Sequence, residues 1–148
     1  KDYPDISFEE MYVDACAMNL IRQPQKFDVI VTTNLFGDIL SDESSQVVGG
    51  LGMAPAANLG DDFALFEPVH GAAFDIAGQN IANPSSFLLS IKMMLNWLGV
   101  KYNDPKCFEA AIKLESTIFD LVKSGIKTKD IGGDSTTTEF TKQITDNL

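Results

Sequence analysis

The sequence predicts an α/β fold, and three consecutive segments support this prediction. A helical pattern ends at Pro24, the run FDVIVTT at residues 27–33 is typical of a strand covered on both faces, and a second helix follows almost at once. Helix, strand and helix in this order indicate helices layered on a sheet. With 148 residues, 45% apolar and 22% charged, the chain has the composition of a globular domain.

The first third of the chain is predicted to contain two helices, one before that strand in the sequence and one after it. Ser7 and Glu10 have capping-box spacing, so we expect the first helix to begin there and to continue to Arg22. Its inward-facing residues are predicted to be Met11, Ala15, Met18 and Ile21. The second helix is expected at residues 36–48, before a Gly-Gly pair. Its inward-facing residues are predicted to be Phe36, Ile39, Leu40 and Val47.

The rest of the chain is predicted to contain one strand and three helices. Residues 49–62 are expected to form an irregular connection between two subdomains, FALFEP at residues 63–68 a strand, and residues 69–84 a loop shaped around a ligand. The predicted helices are residues 85–98, capped by Asn83 or Ser85, residues 105–125, opened by Asp104 and Pro105, and a short helix capped by Thr136 and Glu139.

Charge and cysteine content limit the possible partners. A formal net charge of -10 disfavours binding to nucleic acid or to an anionic membrane. Cys16 and Cys107 lie far apart without further ligand residues, which suggests neither a zinc site nor a disulfide framework. No apolar run is long enough to cross a bilayer and no signal peptide is recognised, so we expect a soluble protein of the reducing cytoplasm.

Two aspartates at helical spacing form the first candidate site. Asp38 and Asp42 lie four residues apart, so their carboxylates share one face of the predicted helix. All-oxygen ligands of this kind suit Mg²⁺ or Mn²⁺, and the pair follows a buried-type strand, where α/β sheets place ligands. The alternative is a solvated helix face. Asp14, which lies among apolar residues, is a third candidate, with a water-accessible edge position as its alternative.

Two other features carry less weight from sequence alone. His70, the only histidine, is either a hydrogen-bonded loop residue or a ligand contact. The G-x-G of GGLGMAP follows a predicted helix and ends in Pro55, whereas a dinucleotide fingerprint follows a strand and opens a helix. A Rossmann fold is therefore rejected.

Several motifs together resemble a known family. DVIVTTNLFGDILSDESSQVVGGLGMAPAANLGDD, followed by ALFEPVHGAAFDIAGQNIANP, is similar to the β-decarboxylating dehydrogenases, which include isopropylmalate, isocitrate, homoisocitrate and tartrate dehydrogenases. The likeness extends from YVDACAM to DIGGDSTTTEF. It implies the family's three-layer, non-Rossmann α/β fold in part, as the C-terminal portion of a longer subunit. Residues 1–48 would end its central, dimer-forming, metal-binding domain, and residues 49–148 would belong to its large terminal domain with the NAD loop.

The resemblance also implies a reaction and a metal site. The reaction is the NAD-dependent oxidation of a 2-hydroxy diacid, most readily 3-isopropylmalate, followed by loss of carbon dioxide. Asp38 and Asp42 of one subunit would hold Mg²⁺ or Mn²⁺ together with Asp14 from the partner of a homodimer. The family's catalytic tyrosine and lysine and its substrate-binding arginines would lie upstream, so we expect no turnover by this chain alone.

The loop EPVHGAAFDIAG resembles the family's NAD site. Asp75 would accept hydrogen bonds from the adenosine ribose and repel a 2′-phosphate, and the family's NADP-dependent members have a lysine-tyrosine pair where this chain has Asp75-Ile76. The implied cofactor-binding residues are Glu67, His70, Gly71, Ala72, Ala73, Asp75, Ile76, Asn83 and Asp130. The chain departs from many members at Thr33, where they have glutamate, and at Phe74, where they have proline.

Other interpretations remain open at this stage. Isocitrate, homoisocitrate and tartrate are alternative substrates, because the residues that would distinguish them are expected upstream. A noncatalytic regulatory subunit of the same descent is a second hypothesis, disfavoured by the presence of Asp14, Asp38 and Asp42. An unrelated carboxylate-metal enzyme is a third, disfavoured by the HGAAFDIAG motif.

Overall fold

A computed structural model describes residues 2–148, and the chain forms two compact units, Lys1–Val47 and Val48–Leu148. Both helices and strands are present, so the structure is mixed α/β as predicted. The assignment of residues 1–48 and 49–148 to two domains of a longer subunit stays a prediction. Among the described residues, no helix is long and apolar enough to cross a membrane.

The first unit is built on two packed helices. Helix α1 is Val13–Arg22, a 3₁₀ turn follows at Pro24–Lys26, and helix α2 is Asn34–Val47. Cys16 and Leu20 of α1 pack against Leu40 of α2. Val13, Ala17 and Phe27 cover this small core in part. Burying these side chains, rather than strong capping, holds α1, because its N-cap residue makes no side-chain hydrogen bond.

The predicted start of α1 and most of the residues predicted to face inward on the two helices were wrong. The Ser7 capping box does not form, and α1 begins six residues later, because the preceding residues remain exposed and give a helix no face to bury. Ala15 is half-buried, but the rest of the predicted α1 stripe is exposed: Met11, Met18 and Ile21. Of the four residues of α2 predicted to face inward, Leu40 is buried and the other three are exposed: Phe36, Ile39 and Val47.

The predicted strand at residues 27–33 was also wrong. Within the described residues, the only ladder of paired strands is the hairpin of the second unit. Val29 is 83% exposed and Val31 93% exposed. A strand requires a hydrogen-bonded neighbour, and the described part of the first unit supplies none.

The second unit begins with a β-hairpin. Strands β1, Pro55–Leu59, and β2, Ala64–Pro68, pair antiparallel, with Pro55 opposite Pro68 and Leu59 opposite Ala64. The turn is closed by the Gly60 N–H, which donates to the Phe63 carbonyl at 2.9 Å. The strand predicted from FALFEP is confirmed, whereas the predicted irregular connection at 49–62 contains β1.

Three helices complete this unit: α3, Ser85–Tyr102; α4, Pro105–Lys123; and α5, Thr137–Asn147. Helix α3 packs on the hairpin, with the Phe66 and Trp97 rings edge to face at 6.2 Å. The core between the helices contains Met53, Leu89, Leu114, Ile118, Leu121, Phe140 and Ile144. All three helices were predicted, and only their ends differ by a few residues.

Candidate functional site

Asp38 and Asp42 lie on exposed surface of α2, one helical turn apart. Asp38 Oδ2 accepts a hydrogen bond from Asn34 Nδ2 at 3.4 Å, and the two carboxylates are in neither of the chain's described salt bridges. Side chains at i and i+4 lie about 5–6 Å apart at Cβ, which allows one cation to contact both carboxylates. The predicted helical placement of the pair is thus observed.

Asp14 lies in the first turn of α1 and is exposed. Its Oδ1 accepts a hydrogen bond from the Ala15 N–H at 2.8 Å, so it has the water-accessible position considered from the sequence. Within residues 2–148, the structure does not bring three His, Cys, Asp or Glu residues into one metal-binding group. Asp14 therefore does not join Asp38 and Asp42 within a single chain.

The NAD-loop candidates begin where β2 ends. The Glu67 carbonyl accepts from the buried Ser90 hydroxyl at 2.7 Å, and its side chain accepts from Asn58 at 3.3 Å. His70 Nδ1 lies 2.9 Å from the Gly71 carbonyl oxygen, a contact that requires a proton on Nδ1. Helix α3 thus holds the backbone of β2 just before the loop, while the side chains of Glu67 and His70 remain at least partly accessible to solvent.

The middle of the loop is open and strained. A Cβ built at Gly71 would meet no atom within 4 Å, so a ligand has room to approach the backbone there. Ala73 has a left-handed backbone with φ of 44°, which an L-residue with a side chain adopts at a cost of about 1–2 kcal/mol. The 3₁₀ turn Phe74–Ile76 follows and leaves Asp75 exposed. Strain of this kind is concentrated in ligand-binding loops.

Asn83 and Asp130, two further candidates, are hydrogen-bonded to each other. Asn83 Nδ2 donates to Asp130 Oδ2 at 3.0 Å, and Thr128 Oγ1 donates to Asp130 Oδ1 at 2.6 Å. Asn83 also accepts from the Ser85 N–H at 3.0 Å, although the N-cap residue of α3 is Pro84 and not Asn83 or Ser85 as predicted. The sequence predicted both residues by resemblance but not their contact, because 47 positions separate them.

The structure adds contacts that the sequence did not indicate. Asn80 has φ of 59°, and its side-chain oxygen accepts from the Thr138 N–H at 3.1 Å and from the Thr138 hydroxyl at 2.9 Å. Thr137 donates its N–H to the Asn80 carbonyl and its hydroxyl to the Ala82 carbonyl. The start of α5 thereby holds residues 80–82. The TTTEF motif indicated a helix cap, but nothing in it indicated this partner.

Neither cysteine is activated as a nucleophile. Burial raises the pKa of the Cys16 thiol, and the nearby charge of Glu43 raises it further. Desolvation also raises the pKa of Cys107, with added contributions from the charge and hydrogen bonding of Asp104. Both thiols are therefore held in the protonated form at neutral pH, which disfavours thiolate chemistry.

Comparison with known proteins identifies the family of the chain. The sequence profile described as isocitrate/isopropylmalate dehydrogenase matches residues 1–148. The 3-isopropylmalate dehydrogenase of Saccharolobus solfataricus is 54% identical over 140 residues, which cover 94% of this chain and 42% of that protein. The isocitrate/homoisocitrate dehydrogenase of Thermus thermophilus is 50% identical over 148 residues, which cover 100% of this chain and 42% of that protein.

A solved structure gives the same result for the fold. The crystal structure of isocitrate dehydrogenase from Methylococcus capsulatus superposes with a TM-score of 0.89 at 44% identity, covering 99% of this chain and 42% of that chain. The chain thus spans about two-fifths of the length of the relatives that it matches.

The profile match over residues 1–148 and the superposition on a solved isocitrate dehydrogenase define the class of protein to which this mixed α/β chain is similar. The chain belongs to the isocitrate/isopropylmalate dehydrogenase family.

Proposed function

We propose that this chain carries the metal-binding and NAD-binding parts of an enzyme that oxidatively decarboxylates a 2-hydroxy diacid. The observation that supports this most directly is the family match over residues 1–148, which includes the aspartate pair on α2 and the strained loop after β2. We propose 3-isopropylmalate as the substrate, since the Saccharolobus relative is named for it. Isocitrate and homoisocitrate are the alternatives, because the Thermus relative is named for both.

The oxygen donors of α2 fit a divalent metal ion. Asp38 and Asp42 offer two exposed carboxylates on one helical face, and hard cations such as Mg²⁺ and Mn²⁺ take such ligands together with water. We propose that Asp14 of the partner subunit completes this set in a homodimer. When bound, the metal ion supplies a Lewis acid for the substrate oxygens, and NAD supplies the hydride acceptor.

The loop after β2 fits a dinucleotide. The free space at Gly71 and the small side chains of Ala72 and Ala73 allow close approach to the backbone, and Glu67 lies near the end of β2, next to this loop. We propose that Asp75 and Ile76 contact the adenosine ribose, with His70 nearby. Asn83 and Asp130 then shape the adenine end of the same site.

The metal proposal is tested by Mn²⁺ binding measured by electron paramagnetic resonance. The double variant Asp38→Asn/Asp42→Asn should lose high-affinity binding, and Asp14→Asn should weaken it. Glu43→Gln, on the same helix but outside the pair, serves as the control and should bind as the wild type does.

Mixing the two variants tests whether Asp14 acts across subunits. A dimer of one Asp14→Asn chain and one Asp38→Asn/Asp42→Asn chain contains one intact set of ligands, so random pairing should restore about a quarter of the wild-type sites. If the mixture binds no more Mn²⁺ than its separate components, the shared site is wrong. If the double variant binds Mn²⁺ as the wild type does, the assignment to α2 is wrong.

A further inference from the structure

The side-chain amide of Asn83 makes hydrogen bonds within the protein through all of its polar atoms. One N–H donates to Asp130 Oδ2 at 3.0 Å, and Nδ2 also lies 3.5 Å from Met53 Sδ. Its oxygen accepts from the Ser85 N–H at 3.0 Å. The residue is only 9% exposed. A carboxamide has two N–H donors, so neither is left for an adenine ring.

Asp130 is held from its other side. Thr128, which is fully buried, donates its hydroxyl to Asp130 Oδ1 at 2.6 Å. Gly52 leaves the space that this contact needs, since a Cβ there would lie 2.8 Å from Asp130 Oδ2 and 3.0 Å from Asn83 Cβ. Three separate segments of the chain therefore converge on one amide and one carboxylate.

We infer that Asp130 is a positioning residue, which acts through Asn83 and does not itself touch the cofactor. This inference rests on the proposed NAD site. Hydrogen bonds from Thr128 to Asp130 and from Asn83 to Asp130 fix the backbone at residue 83. The hydrogen bonds between Thr138 and Asn80 fix the backbone at residue 80, the other end of this segment. A segment fixed at both ends loses little conformational entropy when a nucleotide binds.

The hydrogen-bond directions define the informative variants. Asp130→Asn keeps the contact, because its oxygen accepts from Asn83 and its amide donates to the Thr128 hydroxyl, which is also an acceptor. Asp130→Ala removes the contact. Asn83→Asp places two carboxylates against each other and breaks it. The double variant Asn83→Asp/Asp130→Asn, referred to below as the exchanged pair, swaps the two side chains. It restores one donor and one acceptor, with the hydrogen bond in the reversed direction.

The first measurement needs no cofactor. In ¹⁵N-labelled wild-type chain, the Asn83 side-chain amide should exchange slowly with solvent, and this protection should persist in Asp130→Asn. It should be lost in Asp130→Ala. A wild-type Asn83 amide that exchanges as fast as those of exposed asparagines would overturn the inference, whatever the chain binds.

The second measurement titrates NAD, AMP and nicotinamide mononucleotide. Asp130→Ala and Asn83→Asp should bind NAD and AMP about tenfold more weakly, with no change for nicotinamide mononucleotide, and the exchanged pair should regain most of that loss. Asp134→Ala, in the same exposed loop, serves as the control and should not differ from the wild type.

Two outcomes of the titration contradict the inference. If Asp130→Asn loses as much AMP affinity as Asp130→Ala, the carboxylate itself contacts the nucleotide. If the exchanged pair binds no better than Asn83→Asp, the contact between the two residues is not what matters. Wild-type chain that binds neither NAD nor AMP would refute the proposed NAD site, and the amide-exchange experiment would still decide the hydrogen-bonded arrangement.

Discussion

Gly99 of α3 lies against the ring of Phe108 on α4, so that a Cβ at position 99 would be 2.9 Å from two ring carbons. Real Cβ atoms do not approach other atoms so closely, and both residues belong to packed helices. The two helices also share an ion pair between Lys92 and Glu115 at 2.8 Å. Helix α3 also holds the hairpin, because Ser86 donates to the Ala54 carbonyl just before β1 and Ser90 donates to the Glu67 carbonyl in β2. The proposed NAD loop follows β2 directly.

Gly99→Ala should destabilise the second unit. Overpacking costs about 1–3 kcal/mol, and the better helix propensity of alanine offsets up to about 1 kcal/mol of that. We therefore expect a loss of about 1 kcal/mol in the free energy of unfolding, measured in urea by Trp97 fluorescence. Combining it with Phe108→Leu should recover part of the loss.

The control for Gly99→Ala is Gly37→Ala on α2. A Cβ at Gly37 would meet only Thr32 Cγ2 at 3.4 Å, an ordinary contact, so helix propensity alone decides the effect. We expect no destabilisation when unfolding is followed by circular dichroism. Equal destabilisation by both substitutions would mean that the contact with Phe108 is not the cause.

The cap of α5 should contribute measurably to stability. Thr136 accepts from the Glu139 N–H at 3.2 Å, and its own N–H donates to the Glu139 carboxylate at 2.9 Å. Thr136→Ala should cost about 1 kcal/mol in the free energy of unfolding. Thr145→Ala, on the exposed face of the same helix, should change stability little; a similar loss there would contradict the role of the cap.

The same cap predicts a pH dependence. Hydrogen bonds from the Thr136 N–H and hydroxyl hold the pKa of Glu139 below its usual value of 4.5. A depressed pKa stabilises the folded state above 4.5, and this contribution is lost as the pH falls through the lower, folded value. Glu139→Gln should remove that part of the acid sensitivity. Thermal melts of both proteins from neutral to acidic pH measure it, and parallel curves would refute the prediction.

The sequence predicted the second unit better than the first. The helix starts at Asp104-Pro105 and at Thr136 are local signals, and the buried partners of those helices lie within the described residues. The strand expected at residues 27–33 has no such partner, and the helix expected from Ser7 has no face to bury at its start. Local patterns therefore succeed where the tertiary contacts they require are present in the same unit.

The candidate site shows the same difference between local features, which the sequence predicts, and long-range contacts, which it does not. Asp38 and Asp42 were placed on one helical face by their spacing alone, because helical periodicity is a local property. The contact between Asn83 and Asp130 crosses 47 positions, and Asn80 meets Thr138 across 58. No periodicity or motif spacing encodes such pairs, so only the folded structure reveals them.

The chain alone should not turn over substrate. The family resemblance assigns the catalytic tyrosine and lysine to sequence outside these 148 residues, and the chain spans 42% of the length of its Saccharolobus relative. Assayed with NAD, Mn²⁺ and each 2-hydroxy diacid, it should form no detectable NADH. NADH formation with any of these diacids, absent from a heat-denatured control, would refute the prediction.

Asp75 should determine the preference for NAD over NADP. Its exposed carboxylate follows the left-handed Ala73, where it can accept hydrogen bonds from ribose hydroxyls and repel a 2′-phosphate. Asp75→Ala should weaken NAD binding about tenfold, because it removes charge-assisted hydrogen bonds to the ribose. It should strengthen NADP binding, because it removes a negative charge that repels the 2′-phosphate. Isothermal titration with both cofactors measures the ratio of the two affinities. Asp61→Ala, in the exposed turn of the hairpin, is the control for the general loss of negative charge. If both substitutions change the ratio equally, the long-range charge of the protein rather than Asp75 accounts for the preference.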